Sequence, residues 1–504
     1  MLGRVLSAEI EGVRAAPVKV EVDLGSGLPG WHIVGLPEKA VQEAKERVWA
    51  AIRNTGIHLE ARKMVVNLSP ATLKKSGSHF DLPIALALLC AHEILRTDVL
   101  EKFLWVGELA LDGHLSPAAG IYSYLQLAEK MGLEGVVSSS SLGPELQISS
   151  SCKCLSFDSL NDVIQFIRTG DYRPLQKKSM TAVPAKPTVD FAEVKGQVFA
   201  KRALEIAAAG RHHVLFIGPP GSGKTMLAER FPTICPPLTP QQRMEVANIY
   251  SLAGEMDSSL QRATAPFRAP HHSISPVGLV GGGNGQIMPG EITLAHHGVL
   301  FLDELPEFPR NALESLRQPL ESGTIHIIRA GKRVRLPAQF QMITAMNPCK
   351  CGYLGHPRRA CSCPPGSIFS YRRKLSGPLL DRVDIHVEVA SVSEEEIFIE
   401  SDSENSQSIL NRVMEAYQRQ QKRYEFKKQN SALKTQEILQ FCSLKKESVL
   451  FLREAMQTLH LSMRSYHRIL KVSRTIADLA GAESIATGHV AEALQYRCLD
   501  RESF

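Results

Sequence analysis

Long apolar runs are missing from this sequence. No uninterrupted stretch of roughly 18 apolar residues occurs, so no conventional membrane-spanning helix is expected. Glu9 and Glu11 fall where the apolar core of a secretory signal would lie, which argues against export. Charge of one sign is also scarce: 58 Lys and Arg face 52 Asp and Glu, for a net charge of +6. That balance permits a nucleic-acid partner without demanding one. Aromatic residues are only 6% of the chain, and in the basic stretch 325–340 no arrangement of aromatics suggests base stacking. Sequence-specific recognition of nucleic acid is therefore not expected. The ten cysteines, with no leader, imply cytosolic thiols or metal ligands and not a disulfide framework, so the expected compartment is the cytoplasm.

What is present is an ordinary globular composition, with 44% hydrophobic and 22% charged residues in 504. That length implies about two to four domains. Val18, Val20 and Val22 alternate with Lys19, Glu21 and Asp23 at strand spacing, and Val41, Ala44, Val48 and Ile52 follow at helical spacing. Further strand-like runs at 64–68 and 103–109, and a buried-helix run at 83–89, complete an α/β unit over 1–168. Residues 169–189 are polar and Pro-containing and read as an extended linker. A second α/β unit at 190–392 alternates helices with apolar strands, as a parallel sheet demands. Beyond 393, to residue 504, the pattern is helical and charge-rich.

The second unit carries the chemistry. Gly218-Pro219-Pro220-Gly221-Ser222-Gly223-Lys224-Thr225 follows an apolar strand and precedes a helix-forming run. Glycines at these positions let backbone N–H groups turn onto phosphates; Lys224 would reach the β- and γ-phosphates of ATP, and Thr225 would ligate Mg2+. The run Val299-Leu-Phe-Leu-Asp303-Glu304 is an apolar strand ending in two carboxylates. Asp303 suits the Mg2+ shell and Glu304 suits a general base acting on water. A third strand, Gln341-Met-Ile-Thr-Ala-Met-Asn347, ends in an amide that is either a γ-phosphate sensor or a turn residue before Pro348. Arg382, in Gly377-Pro-Leu-Leu-Asp-Arg-Val-Asp384, and Arg464, opening a later helix, are each either a phosphate-directed cation or a surface ion-pair partner.

These residues stand among longer strings: Phe267-Arg-Ala-Pro-His-His-Ser273, Pro289-Gly-Glu-Ile-Thr-Leu-Ala-His-His-Gly-Val-Leu-Phe-Leu-Asp-Glu-Leu-Pro-Glu-Phe308, Asn347-Pro-Cys-Lys-Cys-Gly352 and Arg468-Ile-Leu-Lys-Val-Ser-Arg-Thr-Ile-Ala-Asp-Leu479. Over essentially its whole length the chain resembles the magnesium-chelatase-like AAA+ proteins of the ComM/YifB type. The resemblance implies a multidomain α/β fold: a Lon-protease-like N-terminal domain, an AAA+ P-loop core on a parallel sheet, and an all-helical C-terminal lid. It implies a homo-hexameric ring, with an inserted loop at about 264–292 and a pre-sensor hairpin at about 325–340, both facing a pore. It assigns Arg382 as arginine finger and Arg464 as second sensor, acting on a neighbour's nucleotide. The implied activity is a DNA motor, a helicase driving branch migration on single-stranded and branched DNA during natural transformation, in company with recombination proteins. A chaperone-like ATPase that remodels a protein partner is the alternative. By the same resemblance His79 and Tyr122 stand where a Lon-type Ser–Lys dyad would be, so proteolysis is not expected.

Further features stand apart from the P-loop and its carboxylates. Cys349, Cys351, Cys361 and Cys363 form two Cys-x-Cys pairs just after Asn347, which either close a Zn2+ site or remain reduced thiols. Cys152 and Cys154 are an isolated pair with no such partner. Arg329, Lys332, Arg333 and Arg335 sit in the expected hairpin, either tracking a phosphate backbone or serving solubility. On two C-terminal helices, Arg412, Arg419 and Arg423 are expected on a solvated face opposite Leu410, Val413, Met414 and Tyr417, while Arg464, His467, Arg468 and Lys471 form a second stripe.

Overall fold

The computed structural model describes residues 2–140, 152–172, 189–255, 264–283, 287–329, 332–356, 358–391, 403–425, 428–497 and 499. Most of the expected linker, at 173–188, lies outside the described residues.

The alternating valines 18, 20 and 22 are fully buried on one face of the strand Arg14–Gly25. This strand pairs antiparallel with Leu2–Glu11 on one side and Lys63–Ser69 on the other, and Gly30–Val34 completes the sheet in parallel to Lys63–Ser69. The helix Asp81–Ala91 is buried along its whole length against this sheet, as its unbroken apolar sequence requires. Its one charge, Asp81, is met by Arg47 at 2.6 and 3.0 Å. A smaller parallel sheet of Phe103–Trp105, Gly135–Ser139 and Lys153–Phe157 closes this N-terminal part.

The central sheet has five parallel strands: β1 (Val214–Ile217), β2 (Phe267–Arg268), β3 (Val299–Leu302), β4 (Gln341–Met346) and β5 (Ile385–Glu388), in the order β2-β3-β4-β1-β5. Every residue of β1, β3 and β4 is buried, which explains why these segments read as continuous apolar runs and not as alternations. Because the strands are parallel and nearly in register, the residues that follow β1, β3 and β4 emerge at one sheet edge. That is where an open α/β sheet places its ligand.

The helices Ser406–Arg423, Thr435–Phe441, Lys446–Thr458, Met463–Leu479 and Thr487–Gln495 form the C-terminal part. Their apolar residues, among them Val413, Leu452, Ile469 and Val490, join Leu204, Phe216 and Ile343 in one continuous core. The first arginine stripe is partly solvated, as expected, with Arg412 exposed, yet it also makes tertiary ion pairs and hydrogen bonds. Arg412 pairs with Glu205 and Glu404, Arg419 donates to the Asp478 carbonyl at 2.8 Å, and Arg423 pairs with Asp478. Through Glu205 and Asp478 these guanidinium groups fasten the helix Ser406–Arg423 to its neighbours, while Arg419 also pairs with Glu415 on the same helix at 3.6 Å. The buried face is Ile409, Val413, Ala416 and Gln420, whereas Met414 and Tyr417 border a cleft.

The N-terminal part docks on the helix Pro240–Ala253. Asn248 donates to the Val13 carbonyl at 2.9 Å and accepts from the Ser123 hydroxyl at 2.9 Å, and Ser251 accepts from the Gly120 N–H at 2.9 Å. Among the described residues no helix is long and apolar enough to cross a membrane.

Candidate nucleotide site

Gly218 leaves β1 with its N–H donating to the Met346 carbonyl at 3.2 Å, which ties the loop to β4. A Cβ at Gly218 would meet the Val389 carbonyl oxygen at 2.2 Å, so only glycine fits this passage. Gly223 has φ +88°, a left-handed turn from which the helix Lys224–Arg230 starts. Lys224 is buried, and its ammonium donates to the carbonyls of Gly218 and Pro219, both at 2.8 Å. Its Nζ also lies 3.4 Å from Asn347 Oδ1. Burial draws the Lys224 pKa below its ordinary value, and nearby Asp303 opposes that shift.

At the end of β3, Asp303 accepts from the Thr225 hydroxyl at 2.8 Å and from the Glu304 N–H at 2.8 Å. Thr225 and Asp303 thus present adjacent hard oxygen donors, the set that Mg2+ takes in combination with phosphate oxygens. Glu304 has φ +51°, an uncommon conformation for a non-glycine residue and one that recurs at functional sites. Its half-exposed carboxylate lies 3.1 Å from Nδ1 of His272, in the loop after β2. The structure therefore brings Lys224, Thr225, Asp303, Glu304 and Asn347 to one edge. His272 joins them, a residue given no role on sequence grounds; its only signal was the His-His doublet inside a longer string. Gln197 is a second such residue, donating to the Ser222 carbonyl at 3.2 Å and the Ala390 carbonyl at 2.7 Å.

Arg382 and Arg464 lie elsewhere. Both line an open cleft of about 1730 Å3, together with Arg211, Glu245 and His297, and none of Gly218 to Thr225 lines it. Arg382 is paired with Glu321, and Arg464, largely exposed, with Asp381 at 3.1 Å. Arg468 pairs with buried Asp384 and donates to the Arg382 carbonyl at 3.0 Å, so in the second stripe it is an anchor. Lys471 likewise donates to the Ser431 carbonyl at 2.8 Å. The Arg468 guanidinium and His212 beside Asp384 outweigh burial and hold its carboxyl well below the usual range.

Arg468→Ala would leave that buried carboxylate to His212 and the His213 N–H, at a cost of up to about 3–5 kcal/mol, the range for removing one partner of a buried ion pair. Because the native pKa of Asp384 is depressed, its contribution is present above the unfolded carboxylate value near 3.9 and is lost as pH falls below it. Denaturant unfolding at neutral pH should show the loss for the variant. At acid pH the gap between variant and parent should narrow.

The hairpin runs Thr324–Arg329 and Lys332–Pro337, with Ile328 opposite Arg333 and His326 opposite Arg335. Ile325, Ile327, Val334 and Leu336 point into the core while Arg333 and Arg335 are exposed. The side chains of Arg329 and Lys332, at the tip, lie outside the described residues, as do 284–286 of the inserted loop.

In the N-terminal part Ser76 and Ser78 bond to carboxylates and not to the neighbouring Lys75. Ser76 donates to Glu9 at 2.6 Å, Ser78 donates to Glu108, and the buried Lys75 ammonium donates to the Gly35 carbonyl at 2.9 Å and to the Pro70 carbonyl. His79 faces the Ala8 carbonyl at 3.0 Å, and burial pushes its pKa down to about 4, leaving it neutral. Tyr122 is buried.

Three family profiles match in succession: magnesium chelatase subunit ChlI over residues 190–397, subunit ChlI of Mg-chelatase over 20–141, and the ChlI C-terminal region over 403–497. The chain is 43% identical to competence protein ComM of Haemophilus influenzae, over 99% of this chain and 98% of that protein. It is likewise 43% identical to the uncharacterized protein YifB of Escherichia coli, over 97% of this chain and 96% of that one. An uncharacterized protein of Mycobacterium tuberculosis, Rv2897c, is 37% identical over 98% of both chains.

Proposed function

The chain belongs to the magnesium-chelatase-like ComM/YifB family of AAA+ type, and from that premise we propose that it is an ATP-driven DNA motor that migrates branched recombination intermediates, in one or both directions, during natural transformation. The observation that carries the reading is the division of the site. Lys224, Thr225, Asp303, Glu304 and Asn347 share one sheet edge, whereas Arg382 and Arg464 line a cleft that the P-loop does not border. A ring in which each nucleotide lies between neighbours, here a hexamer, brings the two halves together.

In this reading residues 1–168 form a Lon-like, non-proteolytic domain, 169–189 a linker, 190–392 the ATPase core and 393–504 the lid, all working in the cytoplasm. Lys224 exchanges its carbonyl partners for the β- and γ-phosphates. Glu304 swings from His272 to take a proton from water as the water's oxygen attacks the γ-phosphorus, and Asn347 holds that water or the phosphate. Thr225 and Asp303 would hold Mg2+, which would supply neutralisation of the phosphate charge. The neighbour's Arg382 meets the charge developing as the bond to the leaving oxygen breaks, and Arg464 completes the seam.

DNA is favoured as the substrate by the hairpin, whose outward Arg333 and Arg335, with Arg329 and Lys332 at the tip, suit a phosphate backbone. The relative named a competence protein points the same way. The test is ATP-dependent strand displacement on a synthetic Holliday or three-strand junction. The parent chain should move the branch point and Lys224→Ala should not. Absence of movement at high enzyme concentration would remove the DNA motor and leave the ATPase, and hydrolysis stimulated only by protein clients would favour a remodelling chaperone.

A further inference from the structure

Asn347 is followed at once by a loop with little regular structure that returns at the helix Pro365–Arg372. Four cysteines from its two ends meet: each can offer a sulfur such that all four lie within 4.8 Å of one another. The closest separations are 3.4 Å for Cys349–Cys351 and 3.6 Å for both Cys349–Cys361 and Cys351–Cys361. Four thiolates bound at the usual zinc–sulfur length of about 2.3 Å would stand about 3.8 Å apart at tetrahedral edges, close to what is found. A disulfide would need about 2.05 Å, and no pair approaches that. The backbone also favours electron-rich sulfur, because the Cys351 N–H donates to Cys363 Sγ at 3.3 Å and the Cys363 N–H donates to Cys361 Sγ at 3.4 Å.

Among the described residues one other cluster has metal-ligand chemistry, Glu245 with His296 and His297, and its hydrogen bonds do not suit a cation. His296 Nδ1 accepts the Gln339 N–H at 3.0 Å, which leaves the proton on Nε2, the atom facing Glu245. That nitrogen donates a hydrogen bond and has no lone pair for a cation. The cysteine loop has no such conflict.

The loop is also pressed onto the nucleotide site. Gly352, next to Cys351, has φ +85°, and a Cβ there would meet Pro220 of the P-loop at 2.6 Å. The same Cβ would lie 3.9 Å from Asn347 Cγ. Arg372 ties the far end back by donating to the Pro348 carbonyl at 3.3 Å.

We propose that Cys349, Cys351, Cys361 and Cys363 bind one Zn2+ whose loop, through Gly352, braces Pro220 and Asn347 of the nucleotide site. Zinc here is a structural cross-link, and Gly352 is a positioning residue. The bracing half rests on the nucleotide-site reading above; the metal half does not.

The experiment therefore has two readouts on the full chain. Elemental analysis of protein purified without chelator should give about one zinc per chain, as a closed four-thiolate site requires. The Cys361→Ser/Cys363→Ser double variant should lose at least about nine-tenths of it, since a closed site cannot keep zinc on two thiolates. Zinc well below one equivalent in the parent, iron in its place, or unchanged zinc in the double variant would each overturn the site. Gly352→Ala removes no sulfur and should keep its zinc, while its added Cβ, forced against Pro220, should raise KM for ATP by about tenfold with a smaller change in kcat. An unchanged KM with zinc retained would overturn the bracing and leave the metal site standing. If no ATPase is found in any form, only the nucleotide reading falls, because the zinc count is independent of it.

Discussion

Glu304→Gln is expected to bind ATP about as well as the parent while steady-state hydrolysis falls by about 10²–10⁴-fold, the range a positioned general base contributes. The substitution keeps length and shape, so the left-handed backbone at φ +51° and the N–H bond to Asp303 at 2.8 Å should persist. What disappears is a group able to accept a proton. Lys224 donates to the Gly218 and Pro219 carbonyls and Thr225 to Asp303, and Asp303 meets Glu304 through its backbone N–H, which the substitution keeps. Equilibrium ATP binding and phosphate release at saturating ATP separate the two effects. A variant hydrolysing at the parental rate would strip Glu304 of its role. The contact with His272 at 3.1 Å gives a control: His272→Ala should disturb the resting position of Glu304 and still leave a base in place.

Much of this site could be read from the sequence because its parts are contiguous. A phosphate loop needs its glycines, lysine and hydroxyl on successive residues, and strands buried on both faces announce themselves as apolar runs ending at Asp303 and Asn347. Pairings across the fold are a different matter. His272 reaches Glu304 from the loop after β2, on the far side of β3 in the sheet order, and no local pattern encodes that approach. Arg412, Arg419 and Arg423 have the spacing of a solvated stripe, yet they also reach Glu205 and Asp478 from distant segments. The four cysteines show the boundary well: spacing names the candidates, but only the folded loop decides that their sulfurs meet.

Arg382→Ala should lower hydrolysis by about 10³–10⁵-fold, the contribution of a cation set against a departing phosphoryl group. The loss alone does not say whose nucleotide the arginine serves. In the isolated chain Arg382 is held by Glu321 and by the Pro378 carbonyl, in a cleft that no P-loop residue lines. Serving its own Lys224 would require leaving that cleft; serving a neighbour requires only that the neighbour present its P-loop there. Mixing two inactive proteins separates these cases. Lys224→Ala chains keep Arg382, and Arg382→Ala chains keep a working P-loop. In a head-to-tail ring assembled at random from equal amounts, about a quarter of the seams would unite an intact P-loop with an intact arginine. Hydrolysis should therefore return to about a quarter of the parental rate, since each complete seam turns over as in the parent. Two variants that stay silent when co-assembled would place the arginine and the phosphate in the same chain, and the shared seam on which the motor depends would be lost.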